Sequence, residues 1–301
     1  MKKSMFKYPL VFIIALITFF SYAQSLPIQH SGEIGELSEL YCDDLQSELE
    51  SEIFKNRTWK QLVDQKLMTI GIVDLSDVND IRYAGLNDSH MMYAASLPKI
   101  AVLLAAMDAI DKGELPNSKE IQKDMRAMIS KSNNQATTRM IDRVGYEKIE
   151  AVLRMPDYKL YDEATGGGLW VGKRYAAGGR RYPEPMKGLS HAATTKQVCS
   201  FYYQLVMGNL VNTLRSSQML NIMEKPDLHH KFVNTLDRIA PKARLFRKSG
   251  SWKNYHSDSV LVWGPERKYI IVALIENDQG EQIIRDLVIP LEKVMKKSRT
   301  L

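Results

Sequence analysis

Strand-like sequence occurs at both ends of this chain and helix-like sequence fills the middle, and that order constrains the fold more than any other feature. LMTIGIVDL (Leu67–Leu75) and IRYAGL (Ile81–Leu86) are apolar, β-branched runs with Asp77, Asn79 and Asp80 between them, as in a hairpin turn. ARLFRKSGSW, SDSVLVWG and KYIIVALIE repeat that character between Ala243 and Glu276. Before the first group, Leu37, Leu40, Leu45, Leu49 and Ile53 recur at helical spacing, predicting helix over 36–65. After the last, 279–297 reads as a helix that Pro290 should kink or start. The two strand groups most economically form one antiparallel sheet, flanked by helices from both chain ends, with an all-helical lobe inserted between them. The predicted class is therefore α/β (α+β). The α/β lobe takes about 36–95 and 243–301, the helical lobe about 96–242. A cleft between the lobes is the natural place for a site.

The first residues read as an export signal. Lys2, Lys3 and Lys7 precede PLVFIIALITFF, and Ser21-Tyr22-Ala23 supplies small residues at the cleavage positions. An uncleaved anchor is the rival reading, and the short apolar run argues against it. Residues 1–23 are read as signal peptide and 24–301 as the mature domain, exported to the periplasm or secreted; proximity to a membrane would come only through the signal segment. Losing 1–23 takes away three lysines and no acids, so the formal charge falls from +6 to +3. A domain that close to neutral gives no electrostatic case for nucleic acid. The six histidines show no metal-binding spacing, and neither metal nor cofactor is expected. Export would permit a disulfide between Cys42 and Cys199; two buried or free thiols are the equal alternative, and sequence gives no distance between them.

Three short motifs carry chemistry. Ser96 opens an apolar helical run and Lys99 follows three residues later, on the same helical face. A serine hydroxyl needs a base, and a lysine whose pKa is lowered can be one. Alone the pair is weak: Ser4 and Lys7 in the signal segment have the same spacing, and a serine N-cap followed by a solvated lysine looks identical. Ser132-Asn133-Asn134 precedes a second helical pattern; a serine there can relay a proton, and an asparagine amide can hold a carbonyl and an amine together. Lys248-Ser249-Gly250 lies on a predicted strand, where glycine allows a substrate to approach the backbone closely.

In this order the three motifs resemble the S-x-x-K, S-D-N and K-T-G set of the serine β-lactamase and penicillin-binding protein family, most closely class A β-lactamases. The resemblance covers nearly all of the mature chain and implies a β-lactamase/transpeptidase-like fold. It implies that Ser96 is acylated, that Lys99 is its base, and that Ser132 passes a proton to the leaving nitrogen with Lys248 lowering its pKa. It assigns Asn134 to the substrate's side-chain amide and Ser249 and Lys248 to its carboxylate. Gly250 is the third-motif glycine, and the backbone N–H groups of Ser96 and Ser251 form the oxyanion site. The implied partner is a small β-lactam or a cell-wall peptide.

The chain departs from the family in four places. The family's E-x-x-x-N element, whose glutamate positions the deacylating water, is missing: no asparagine lies between Asn134 and Asn209. Glu163 and Glu184 are the nominated substitutes. In place of that loop is a glycine-rich segment, Gly166–Lys187, with Trp170, Tyr175 and Tyr182 and five basic residues. Asn133 stands where aspartate is usual, the spacing from Ser96 to Ser132 is shorter than the family's, and the family's arginine after the third motif has no clear counterpart. Three functions follow: a β-lactamase-like serine hydrolase; a D-alanyl-D-alanine peptidase of the penicillin-binding type; or a binding module that is acylated without turnover.

Overall fold

The structure, a computed structural model, describes residues 25–29 and 34–297. The predicted signal segment lies outside the described residues. In chain order the elements are α1 (Asp43–Ile53), α2 (Arg57–Asp64), β1 (Met68–Asp74), β2 (Arg82–Leu86), β3 (Met92–Tyr93), α3 (Lys99–Asp111), α4 (Lys119–Ser130), α5 (Asn134–Val144) and α6 (Tyr146–Leu153). There follow β4 (Tyr161–Asp162), β5 (Gly167–Gly168), β6 (Trp170–Val171), β7 (His191–Ala193), α7 (Thr195–Val206), α8 (Thr213–Met223) and α9 (Phe232–Ile239). The chain ends in β8 (Arg244–Trp252), β9 (Tyr255–Gly264), β10 (Arg267–Glu276) and α10 (Gly280–Lys297).

The two strand groups do join. Five antiparallel strands run in the order β2-β1-β10-β9-β8, with Met68 opposite Ile275 and Asp74 opposite Tyr269. Every residue of β1 is buried, as expected of a strand covered on both faces. The period-two alternation sorts β10 between two cores. Ile271, Ala273 and Ile275 join Leu45, Leu49 and Leu287 under the terminal helices. Ile270, Val272 and Leu274 join the core of the inserted helices. At the centre of that second core is α3, apolar around its whole circumference and buried accordingly.

The structure corrects one sequence expectation and decides between alternatives in two others. The stretch 36–65 is not one helix but a 3₁₀ turn (Leu37–Leu40) and two α-helices. The break falls at Asn56, whose side chain caps α2 by accepting from Thr58 N (3.0 Å) and Trp59 N (3.2 Å). Of the two positions open to Pro290, it takes the one inside α10 and not the one at its start. Of the two readings open for the cysteines, the structure has the free thiols: neither Cys42 nor Cys199 is in a disulfide. α9 packs with the terminal helices through Phe232, Val233 and Leu236. Among the described residues, no helix is long and apolar enough to cross a membrane.

Candidate active site

Ser96 lies one turn earlier than its helix. The first residue of α3 is Lys99, and Ser96 sits in the preceding turn, where Lys99 N donates to Ser96 O at 3.3 Å. The residue before the serine, Ala95, has φ 51°, a left-handed conformation that a non-glycine residue holds only when its surroundings enforce it. Two bonds do so. Ser257 Oγ of β9 donates to Ala94 O at 2.8 Å, and Tyr175 Oη donates to Ala95 O at 2.9 Å. Gly250 completes the fit: a Cβ there would stand 2.4 Å from Ala94 O and 2.5 Å from Ser96 N. The sequence reading reserved that glycine for a close substrate. What approaches the strand is the chain's own serine turn, and the contact sets Ser96 against the third motif.

Lys99 is fully buried, and its amine reaches across to the second motif. It donates to Ser132 O (2.7 Å), Asn134 Oδ1 (2.8 Å) and Ser132 Oγ (3.3 Å). Burial lowers its pKa to about 7, because an ammonium loses water there and meets no carboxylate in exchange. Ser132 has φ 53°, which turns the chain sharply between α4 and α5. Asn133, the departure from aspartate, is the N-cap of α5: its Oδ1 accepts from Ala136 N at 2.8 Å. Asparagine and aspartate cap about equally well, so the change is cheap for the helix.

Lys248 comes from β8, the edge strand of the sheet. An edge-strand lysine is ordinarily solvated. This one is buried, and its amine donates to Ser132 Oγ (3.0 Å) and Ser249 O (2.6 Å). Its pKa is well below the usual lysine range, first through burial and then through the nearby Lys99 and Arg247 charges. Ser132 Oγ is therefore shared by two lysines. Ser249 is buried, while Ser251 is exposed and lines the cleft with Ser96 and Asn134.

The cleft encloses about 680 Å³, room for a drug-sized ligand. Tyr93, Tyr175, Trp252 and Tyr255 give it aromatic walls, and Lys173, Arg174 and Lys253 give it cations. No Asp or Glu is among the described residues that line it. The nominated acids are elsewhere. Glu163 is exposed and paired with Arg154 at 2.8 Å. Glu184 is buried but accepts from Tyr161 Oη, Met186 N (2.9 Å) and Lys187 N (2.6 Å), tying the glycine-rich segment to itself. No group of three or more His, Cys, Asp or Glu that could hold a metal occurs among the described residues.

Three residues at the site were not legible beforehand. Lys231 is buried behind β8, and its amine donates to Gly250 O, Ser251 Oγ (2.8 Å) and Ser257 O (3.0 Å). Burial lowers its pKa to about 8. It puts an amine behind Ser251 from the start of α9. His191 lines the cleft with its pKa pushed down to about 4 by burial, so it is neutral at pH 7. Tyr175 belongs to the segment whose composition drew attention, but nothing in that composition singled out this tyrosine.

An antiparallel sheet with an inserted helical region, and two buried lysines that converge on the Ser132 hydroxyl beside the Ser96 turn, are features of the serine β-lactamase and penicillin-binding class. The sequence matches the β-lactamase enzyme family over residues 116–289, more than half of the chain, and the protein belongs to that family. No curated protein matches the sequence. Among solved structures, the β-lactamase from Sphaerobacter thermophilus DSM 20745 is similar with TM-score 0.64 at 17% identity, covering 83% of this chain and 97% of that one. PBP-A is similar with TM-score 0.64 at 16% identity, covering 85% and 97%. A representative class A β-lactamase from Bacteroides cellulosilyticus DSM 14838 has TM-score 0.62 at 17% identity, covering 84% and 99%. At such identities the likeness is one of fold.

Proposed function

We propose that this protein is an exported serine hydrolase that forms an acyl-enzyme on Ser96 and opens β-lactam amide bonds. The observation that carries the reading is the pair of bonds from Lys99 Nζ to Asn134 Oδ1 and Ser132 Oγ, with Lys248 Nζ on the same Ser132 hydroxyl. Ser96 Oγ attacks the carbonyl carbon and gives its proton to the neutral Lys99 amine. The oxyanion is held by the backbone N–H groups of Ser96 and Ser251. As the C–N bond breaks, the nitrogen takes the Ser132 hydroxyl proton, which the Lys99 ammonium replaces. The hydrogen bond from Lys248 Nζ to Ser132 Oγ stabilises that oxygen as its proton leaves. Cations around and beneath the cleft, with no acid among its described lining residues, suit a substrate that carries a carboxylate.

A second reading, a D-alanyl-D-alanine peptidase acting on cell-wall peptides, is favoured by the absence of any carboxylate from that lining, which leaves water without its usual activator. PBP-A has been solved as an acyl-enzyme complex with penicillin G in a variant form, which illustrates the outcome for that protein. The deciding experiment is intact mass after mixing with benzylpenicillin, followed over time. A stable adduct on Ser96 together with D-alanine release from a D-alanyl-D-alanine peptide supports the peptidase. An adduct that clears rapidly supports the β-lactamase. A stable adduct with neither turnover supports a binding module, and no adduct overturns all three.

A further inference from the structure

The Tyr175 ring lies over the Lys99 amine, with Nζ 4.4 Å from the ring centroid. The amine already spends its polar contacts on Ser132 O, Ser132 Oγ and Asn134 Oδ1. The ring covers a further side, and the phenol oxygen is committed to Ala95 O. Tyr175 is itself held in place: its ring packs on His191 at 4.2 Å. An aromatic face therefore stands over the one side of the amine that its hydrogen bonds leave open.

We propose that Tyr175 is a positioning residue that seals the Lys99 amine from water and pins the nucleophile turn, so that the acyl-enzyme on Ser96 is shielded from hydrolysis. The inference rests on Ser96 being acylated. Two effects of the ring on Lys99 oppose each other. A ring face attracts an ammonium. Excluding water disfavours the ammonium, and burial wins, because Lys99 sits near 7 with the ring in place. The other groups facing Lys99 do not reverse this. Lys248 on β8 brings no negative charge to it, and His191 on β7 is neutral at pH 7. Burial also holds the Tyr175 phenol well above its ordinary range, so it stays protonated and donates to Ala95 O rather than acting as a base.

The experiment compares wild type, Tyr175→Phe and Tyr175→Ala as full mature chains. Lys99 is titrated by NMR on protein carrying ¹³C-labelled lysine, and the benzylpenicillin adduct is followed by intact mass. In Tyr175→Ala the Lys99 midpoint should rise by about one unit or more, and the adduct should clear about tenfold faster or more, on the scale of general-base effects. Tyr175→Phe keeps the ring and should leave midpoint and lifetime near wild type, while loss of the Ala95 bond slows acylation. Tyr175→Leu, which opens a smaller gap, should move both readings in the same direction as alanine and serves if the alanine variant does not fold. A Lys99 midpoint and an adduct lifetime that stay at wild-type values in the folded alanine or leucine variant overturn the proposal. If wild type gains no adduct, the Ser96 reading fails by itself, and the Lys99 titration still decides whether Tyr175 seals the amine.

Discussion

The floor of the cleft and its glycine-rich wall both bury charge, but they treat it differently. In the floor, Lys99 and Lys248 are buried against carbonyl, hydroxyl and amide oxygens, with no carboxylate bonded to either. In the wall, Glu184 is equally buried, yet a phenol and two backbone N–H groups saturate it. An uncompensated amine loses its proton easily and becomes available as a base. A carboxylate whose oxygens are all taken by neighbouring donors serves as structure. Burial alone therefore does not mark a catalytic group; what matters is whether its partners neutralise it. The difference predicts that floor substitutions change chemistry and that wall acids change only stability.

The largest effect should come from the nucleophile. Ser96→Ala should abolish the covalent adduct with a β-lactam, measured by intact mass. An adduct persisting on that variant, at Ser132 for instance, would move the nucleophile to the second motif. Next is the base. Lys99→Ala should slow acylation by roughly 10²–10⁴, the range for losing a general base. Normal acylation in that variant, in a stopped-flow assay, would put the base elsewhere.

The pH dependence of acylation is a smaller and sharper test. Lys99 works as a base only when neutral, and its pKa is about 7. The acylation rate should fall about tenfold per unit as pH drops below 7 and level off above it. The same burial affects folding with a fixed sign. An unfolded lysine titrates near 10.4, so between about pH 7 and 10 the unfolded chain binds protons that folded Lys99 has released. Stability should therefore rise with pH across that window, and Lys248, lowered in the same direction, adds to the slope. A flat thermal midpoint from pH 7 to 10 would show that both amines stay charged.

Much of this contrast was legible in the sequence, for physical reasons. The strands were legible because β-branched runs bounded by turn residues are local signals, and their pairing followed from economy of topology. Ser96, Lys99, Ser132 and Lys248 were legible because each motif is a short fixed spacing and their order is specific. What the sequence could not give is which residues long-range packing brings to them. Lys231 precedes α9 with no motif around it, and only the packing of that helix start behind β8 makes it a buried cation. Tyr175 is one of three aromatics in its segment, and the path of the loop decides which one meets Lys99. Glu163 and Glu184 were nominated on acidity alone, and their partners lie within the loop and on α6's end rather than at the serine.

Those two acids supply the smallest effects and the last test of the comparison. Glu184→Gln leaves a buried cluster of donors facing a neutral amide, and should cost about 1–3 kcal/mol, the scale for unpairing buried polar groups. Glu163→Gln removes an ion pair in which the carboxylate is 51% exposed, and should cost no more than about 1 kcal/mol. Chemical denaturation of each variant reads both costs. Neither substitution should change the lifetime of the acyl-enzyme, since neither carboxylate lines the cleft. An adduct that accumulates in Glu184→Gln but clears in wild type would mean that the wall swings its acid toward Ser96 during turnover. In that event the saturated carboxylate would be the deacylating group, and the division between a chemical floor and a structural wall would fail. If both variants keep the wild-type lifetime, deacylation, however slow, is left to the floor, with Lys99 as the group that serves both steps.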